Sequence, residues 1–79
     1  MDIHHKVEGL TTEAMQEAHQ KDLAVQERFG VRFIRYWYDE KTGKVFCLSE
    51  APSAEAVSDA HRAAHGQVAD EVISVAEGV

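Results

Sequence analysis

Val31-Arg32-Phe33-Ile34-Arg35-Tyr36-Trp37-Tyr38-Asp39-Glu40-Lys41-Thr42-Gly43-Lys44-Val45-Phe46-Cys47-Leu48-Ser49-Glu50 is the stretch that decides the fold. Aromatic and β-branched residues crowd Val31 to Asp39, as they do in strands. Asp39 to Gly43 is a tight connection with a glycine at its end, and Lys44 to Glu50 returns as a second strand. The stretch therefore predicts a hairpin. Side chains alternate along a strand, which groups Phe33 with Trp37 against Ile34, Tyr36 and Tyr38, and sets Val45 and Cys47 against Phe46 and Leu48. Both faces are apolar. In a chain of 79 residues helices can cover one face, and a second copy of the chain is the simplest cover for the other. A homodimer is the expectation.

On the N-terminal side, Thr11 or Thr12 can cap a helix running from 12 to about 28, which Phe29-Gly30 stops. Its apolar stripe is Ala14, Met15, Ala18, Val25 and Phe29. Asp22 falls inside that stripe and His19 lies at its edge. Before the helix, residues 2–7 alternate as a strand, with Ile3, His5 and Val7 on the face expected to be buried and His4 and Lys6 on the other. On the C-terminal side, Ser53 after Pro52 is an N-cap for a second helix with the core stripe Ala56, Val57, Ala60 and Ala64, ended by Gly66. Asp70 to Val75 reads as a last short strand. The order is β-α-β-β-α-β over a single domain, residues 1–79. Right-handed crossovers then place both helices on one face of a four-stranded antiparallel sheet, an α+β fold.

Composition narrows the partners. The formal net charge of −6 argues against nucleic acid and anionic membranes, which need clustered Lys and Arg. No apolar run approaches the roughly 20 residues of a membrane span, and no signal-peptide pattern opens the chain. The single cysteine, Cys47, has no internal disulfide partner. A cytoplasmic protein is expected.

The chemistry lies in the histidines. His61 and His65, four apart on the second helix, stand one above the other, a spacing that can put two imidazoles on one metal ion. The expected topology brings further candidates to the same region: His5 from the first strand, His19 and Asp22 from the first helix, and Cys47 from the hairpin if its face is the helix side. Asp22 reads equally as a carboxylate held by Arg or backbone donors, and as a ligand or histidine orienter. Imidazole with carboxylate and thiolate suits Zn, Ni, Cu or Co rather than Ca or Mg.

His4-His5-Lys6-Val7-Glu8-Gly9-Leu10-Thr11, Ala18-His19 with Asp22, and Gly30-Val31-Arg32 to Tyr36-Trp37 resemble one known family. Val45-Phe46-Cys47-Leu48, Glu50-Ala51-Pro52, His61-Arg62 with His65-Gly66, and Ala69-Asp70-Glu71 extend the resemblance over nearly the whole chain. The family comprises small bacterial ferredoxin-like proteins labelled nickel-binding. The resemblance implies a dimeric ferredoxin-like fold and a nickel site. The leading expectation is thus a small homodimeric protein that binds a divalent transition metal, nickel first, with zinc or copper close behind. The alternative is a dimeric ferredoxin-like barrel enzyme, or a small-ligand module, with a His/Asp-lined pocket and no metal.

Overall fold

The computed structural model describes residues 1–78. Strand β1 (Asp2–His4) leads to helix α1 (Thr12–Val25), which tightens into a 3-10 turn (Gln26–Phe29). Strands β2 (Arg32–Asp39) and β3 (Lys44–Glu50) form the hairpin; helix α2 (Ala54–Ala64) and strand β4 (Glu71–Val72) complete the chain. The sheet order is β2-β3-β1-β4 with every pair antiparallel, the ferredoxin-like βαββαβ arrangement expected from the sequence.

Local chemistry sets the boundaries. The Thr11 and Ser53 hydroxyls accept hydrogen bonds from the Ala14 and Ala56 amides, capping α1 and α2. Gly30, at φ 68°, takes the left-handed conformation that ends the first helical segment, its amide bonding back to Glu27.

Two apolar clusters join sheet and helices. Val31, Phe33, Val57 and Ala60 form one, with Leu23, Val25 and Phe29 packed against it; Met15, Val45 and Cys47 form the other, with Val7, Leu10 and Tyr36. Of the expected α1 stripe, Ala14 is exposed, and Leu23 takes a place in the core instead.

Three further expectations are corrected. Phe33 and Trp37 do not share a face. The pairing steps from Phe33↔Ser49 to Arg35↔Leu48, so a bulge inserts an extra residue and reverses the alternation beyond it. Phe33 is buried on the helix side while Trp37 is 45% exposed on the other face, opposite Phe46. The face of β1 is also reversed. Asp2 pairs with Cys47 and His4 with Val45, and directly opposed residues share a face, so Asp2 and His4 point at the helices. Regular pairing stops at His4, which removes Val7 from the register that seemed to bury His5. Finally, β4 is shorter than Asp70 to Val75, although single bonds from Asp70 N–H to Ile3 and Ile73 N–H to Met1 flank it.

At the end of the hairpin, the Gly43 carbonyl accepts a hydrogen bond from the Val7 amide at 2.8 Å. Gly43 has φ 77°, and a Cβ there would stand 3.1 Å from Val7 N and 3.2 Å from Val7 O. Gly9 has φ 67° but open space around it. Gly9→Ala should cost about 1–2 kcal/mol from left-handed backbone alone, and Gly43→Ala distinctly more, because Val7 must also move. Urea midpoints of the two variants test this; equal losses would refute the close approach.

Candidate metal centre

Asp2 and His4 of β1, Asp22 of α1, and His61 of α2 are all buried, an uncommon concentration of polar groups for so small a core. They form one connected chain. His4 Nε2 donates to Asp2 Oδ1 at 3.1 Å, and His61 Nε2 donates to Asp2 Oδ2 at 3.0 Å. His61 Nδ1 donates to Asp22 Oδ1 at 2.8 Å, and His65 Nε2 lies 3.0 Å from the same oxygen. The Gln67 amide donates to His65 Nδ1 at 3.1 Å, which leaves the Nε2 proton of a neutral ring directed at Asp22. Among the described residues, no buried side-chain nitrogen or oxygen lacks a partner.

A ring that gives hydrogen bonds from both nitrogens to carboxylates is an imidazolium. Burial opposes that charge on His61. The hydrogen bonds to Asp2 and Asp22, and then their negative charges, outweigh burial and push its pKa up to about 9 from 6.5. Burial likewise raises Asp2, but the bonds from His4 and His61, reinforced by their charges, bring it down to about 2 from 3.8. Asp22 moves down against the same burial penalty, through bonds from His61 and His65. The Cys47 thiol is pushed well up, first by burial and then by the charges of Asp2 and Asp22, so it is neutral at ordinary pH.

These donors fall into two groups that share His61. Asp2, His4, Cys47 and His61 offer oxygen, nitrogen and sulfur atoms all within 4.8 Å of one another; Asp22, His61 and His65 do the same. Donors around one transition-metal ion at about 2.0–2.3 Å are separated by roughly 3–4 Å, so modest contraction would close either group. The mixed imidazole, carboxylate and thiol set fits Ni, Zn, Cu or Co. A divalent ion would also meet a need in charge: two buried carboxylates face an imidazolium that offsets only half of their charge.

The structure brings together Asp22, His61, His65 and Cys47 of the sequence candidates. It does not bring His5 or His19 into either group. The His5 side chain is half-exposed, with Nε2 2.8 Å from Glu71 Oε2, while its amide donates to Asp70. His19 is half-buried, its ring centroid 4.8 Å from that of Tyr36. Sequence reasoning missed Asp2 and His4. The signal was present in the hairpin: if both sheet faces are apolar, Ile3 can face away from the helices beside Phe46, its cross-strand partner, which turns Asp2 and His4 inward.

The family model described as nickel responsive protein SCO4226-like matches residues 1–75. The chain belongs to this SCO4226-like family. The crystal structure of SCO4226 from Streptomyces coelicolor A3(2) superposes with a TM-score of 0.90 at 42% identity, covering 99% of this chain and 95% of that one. No curated protein matches. Among the described residues, no helix of this SCO4226-like chain is long and apolar enough to cross a membrane.

The charge balance predicts a pH profile for the metal-free protein. Stabilisation from His61 is complete below pH 6.5 and is lost as pH rises through about 9. Stabilisation from Asp2 is complete above pH 3.8 and is lost as pH falls through about 2. Unfolding midpoints measured in chelator should therefore be highest between pH 3.8 and 6.5 and fall toward 9. A midpoint that holds or climbs over the alkaline range would show that His61 is not held as an imidazolium.

Proposed function

We propose that this protein is a cytoplasmic homodimer that binds a divalent transition metal, nickel foremost, at the cluster around His61. The observation that carries the reading is the pair of donor groups sharing that buried ring, Asp2/His4/Cys47/His61 and Asp22/His61/His65. The family's description as nickel responsive supports nickel over zinc and copper. Ion binding would displace protons from His61 and, in the first group, from Cys47, since a coordinated thiol is deprotonated.

The size of the space inside favours an ion over an organic substrate. The chamber bounded by Asp22, Cys47, His61 and His65 has a volume of about 30 Å³, far below the several hundred Å³ of an organic ligand site. Two depressions of about 560 Å³ contain none of the histidines, and one of about 310 Å³ touches the donor groups only at His4. This observation favours metal binding over the enzyme reading. His5 and His19 stand outside the proposed ligand set.

The dimer reading rests on the sheet face turned away from the helices. Ile34 and Trp37 are 41% and 45% exposed there, and Ile73 and Val75 are comparably open beside them. A contiguous apolar surface of this kind is covered in most soluble proteins, and a symmetric copy supplies a matching face.

Tag-free protein titrated with Ni²⁺ by calorimetry should bind it near-stoichiometrically, and more tightly than Zn²⁺. His61→Ala with His65→Ala should weaken binding by at least about 10–100-fold. Unchanged stoichiometry and affinity in that double variant would overturn the site. Sedimentation should give twice the chain mass, reduced to one chain by Trp37→Asp; a monomeric wild type would overturn the dimer.

A further inference from the structure

We infer that ions reach the cluster through one portal, between the β1–α1 loop and the α2–β4 loop, rimmed by His4, Val7 and Gln67. The inference rests on the metal-binding reading above. Those three residues line both the inner chamber and an open surface depression of about 310 Å³. They are therefore the shared wall between solvent and the buried donors. The depression is flanked by Glu8 and Asp70 against a single cation, Lys6, so its near field attracts a divalent ion. None of Ile34, Trp37 and Leu48 lines it, so the proposed dimer face leaves it open.

The second crevice leading toward the cluster is narrower. It runs past His19 and Tyr36 to Asp22 and Cys47, but holds only about 10 Å³. That is at or below the space one water needs, and its walls include the His19 and Tyr36 rings, 4.8 Å apart. Passage on that side requires those walls to move apart. At the portal only exposed Gln67 and half-buried Val7 have to give way.

The portal is tied to the site it serves. Gln67 holds His65 through the bond from its backbone N–H to Nδ1, and His65 in turn faces Asp22. One backbone hydrogen bond therefore links the rim to the ring that faces Asp22. Gly66, at φ 81° with nothing within 4 Å of a Cβ, is the joint between the two.

Stopped-flow transfer of Ni²⁺ between the protein and a chromophoric chelator tests the route. Gln67→Trp should slow uptake and release by the same factor, about tenfold or more, with the equilibrium affinity unchanged, since only the path is obstructed. Glu8→Lys should slow uptake about three- to tenfold at low salt, and the difference should vanish at high salt. His19→Trp, at the narrower crevice, should keep wild-type rates. Wild-type rates in Gln67→Trp, slowed transfer in His19→Trp, or a loss of equilibrium affinity in Gln67→Trp would each overturn the portal while leaving the metal site standing. No Ni²⁺ uptake by the wild-type protein would overturn the metal-binding reading and the portal with it.

Discussion

The imidazolium of His61, held between Asp2 and Asp22, is the contact on which the rest of the structure depends. It joins three elements far apart in sequence: α2 supplies the ring, β1 one carboxylate and α1 the other. The ring also lies against Phe33 at a centroid distance of 5.0 Å, so it belongs to the apolar core as much as to the polar chain. Ala60, next to it, is wholly buried. A small residue there lets α2 approach the sheet closely enough for His61 to reach Asp2. Register in β1 follows from the same contact, because a one-residue slip would turn Asp2 and His4 to the open face and leave His61 with one partner.

Such an arrangement is a poor way to make a small domain stable. A buried ion pair gives up two hydration shells, and well-packed apolar residues of equal volume often do as well or better. With so little core available, placing Asp2, His4, Asp22 and His61 inside it displaces apolar contacts that a domain of this size can scarcely spare. The polar chain is fully satisfied, which contains the cost without turning it into a gain. A functional demand on these groups accounts for the arrangement better than stability does.

The parts of the fold that were legible in the sequence carry local signals. The hairpin announces itself by aromatic strands about a glycine-ended turn, the helices by Thr11 and Ser53 as caps, and the end of the first helical segment by Gly30. Asp22 was conspicuous because a carboxylate in an apolar stripe demands a partner. What was not legible depends on register. The bulge after Phe33 carries no glycine or proline to mark it, yet it decides which face Trp37 takes. In β1, three paired residues are too few for alternation to fix a face, and the apolar Val7 drew the pattern past the point where the strand ends. The expected stripe of α2 leaves out His61 because a wheel diagram ranks residues by hydrophobicity, whereas here a wholly buried position beside Ala60 is polar.

On the metal-binding reading, stability and ion occupancy are coupled at this site. The net negative charge left by two carboxylates around one imidazolium is then what would draw a divalent ion to the cluster. On the reading proposed above, an ion that binds only the folded chain returns stability in proportion to its occupancy, about 2.7 kcal/mol at a hundred times its dissociation constant. Because β1, α1 and α2 all contribute side chains to the cluster, that gain would be shared by all three elements. At His65 and Gln67, and among the described residues only there, the chain of hydrogen bonds passes from side chains to the backbone of a loop. The bond from Gln67 N–H to His65 Nδ1 therefore ties the α2–β4 loop to the same network that joins β1, α1 and α2.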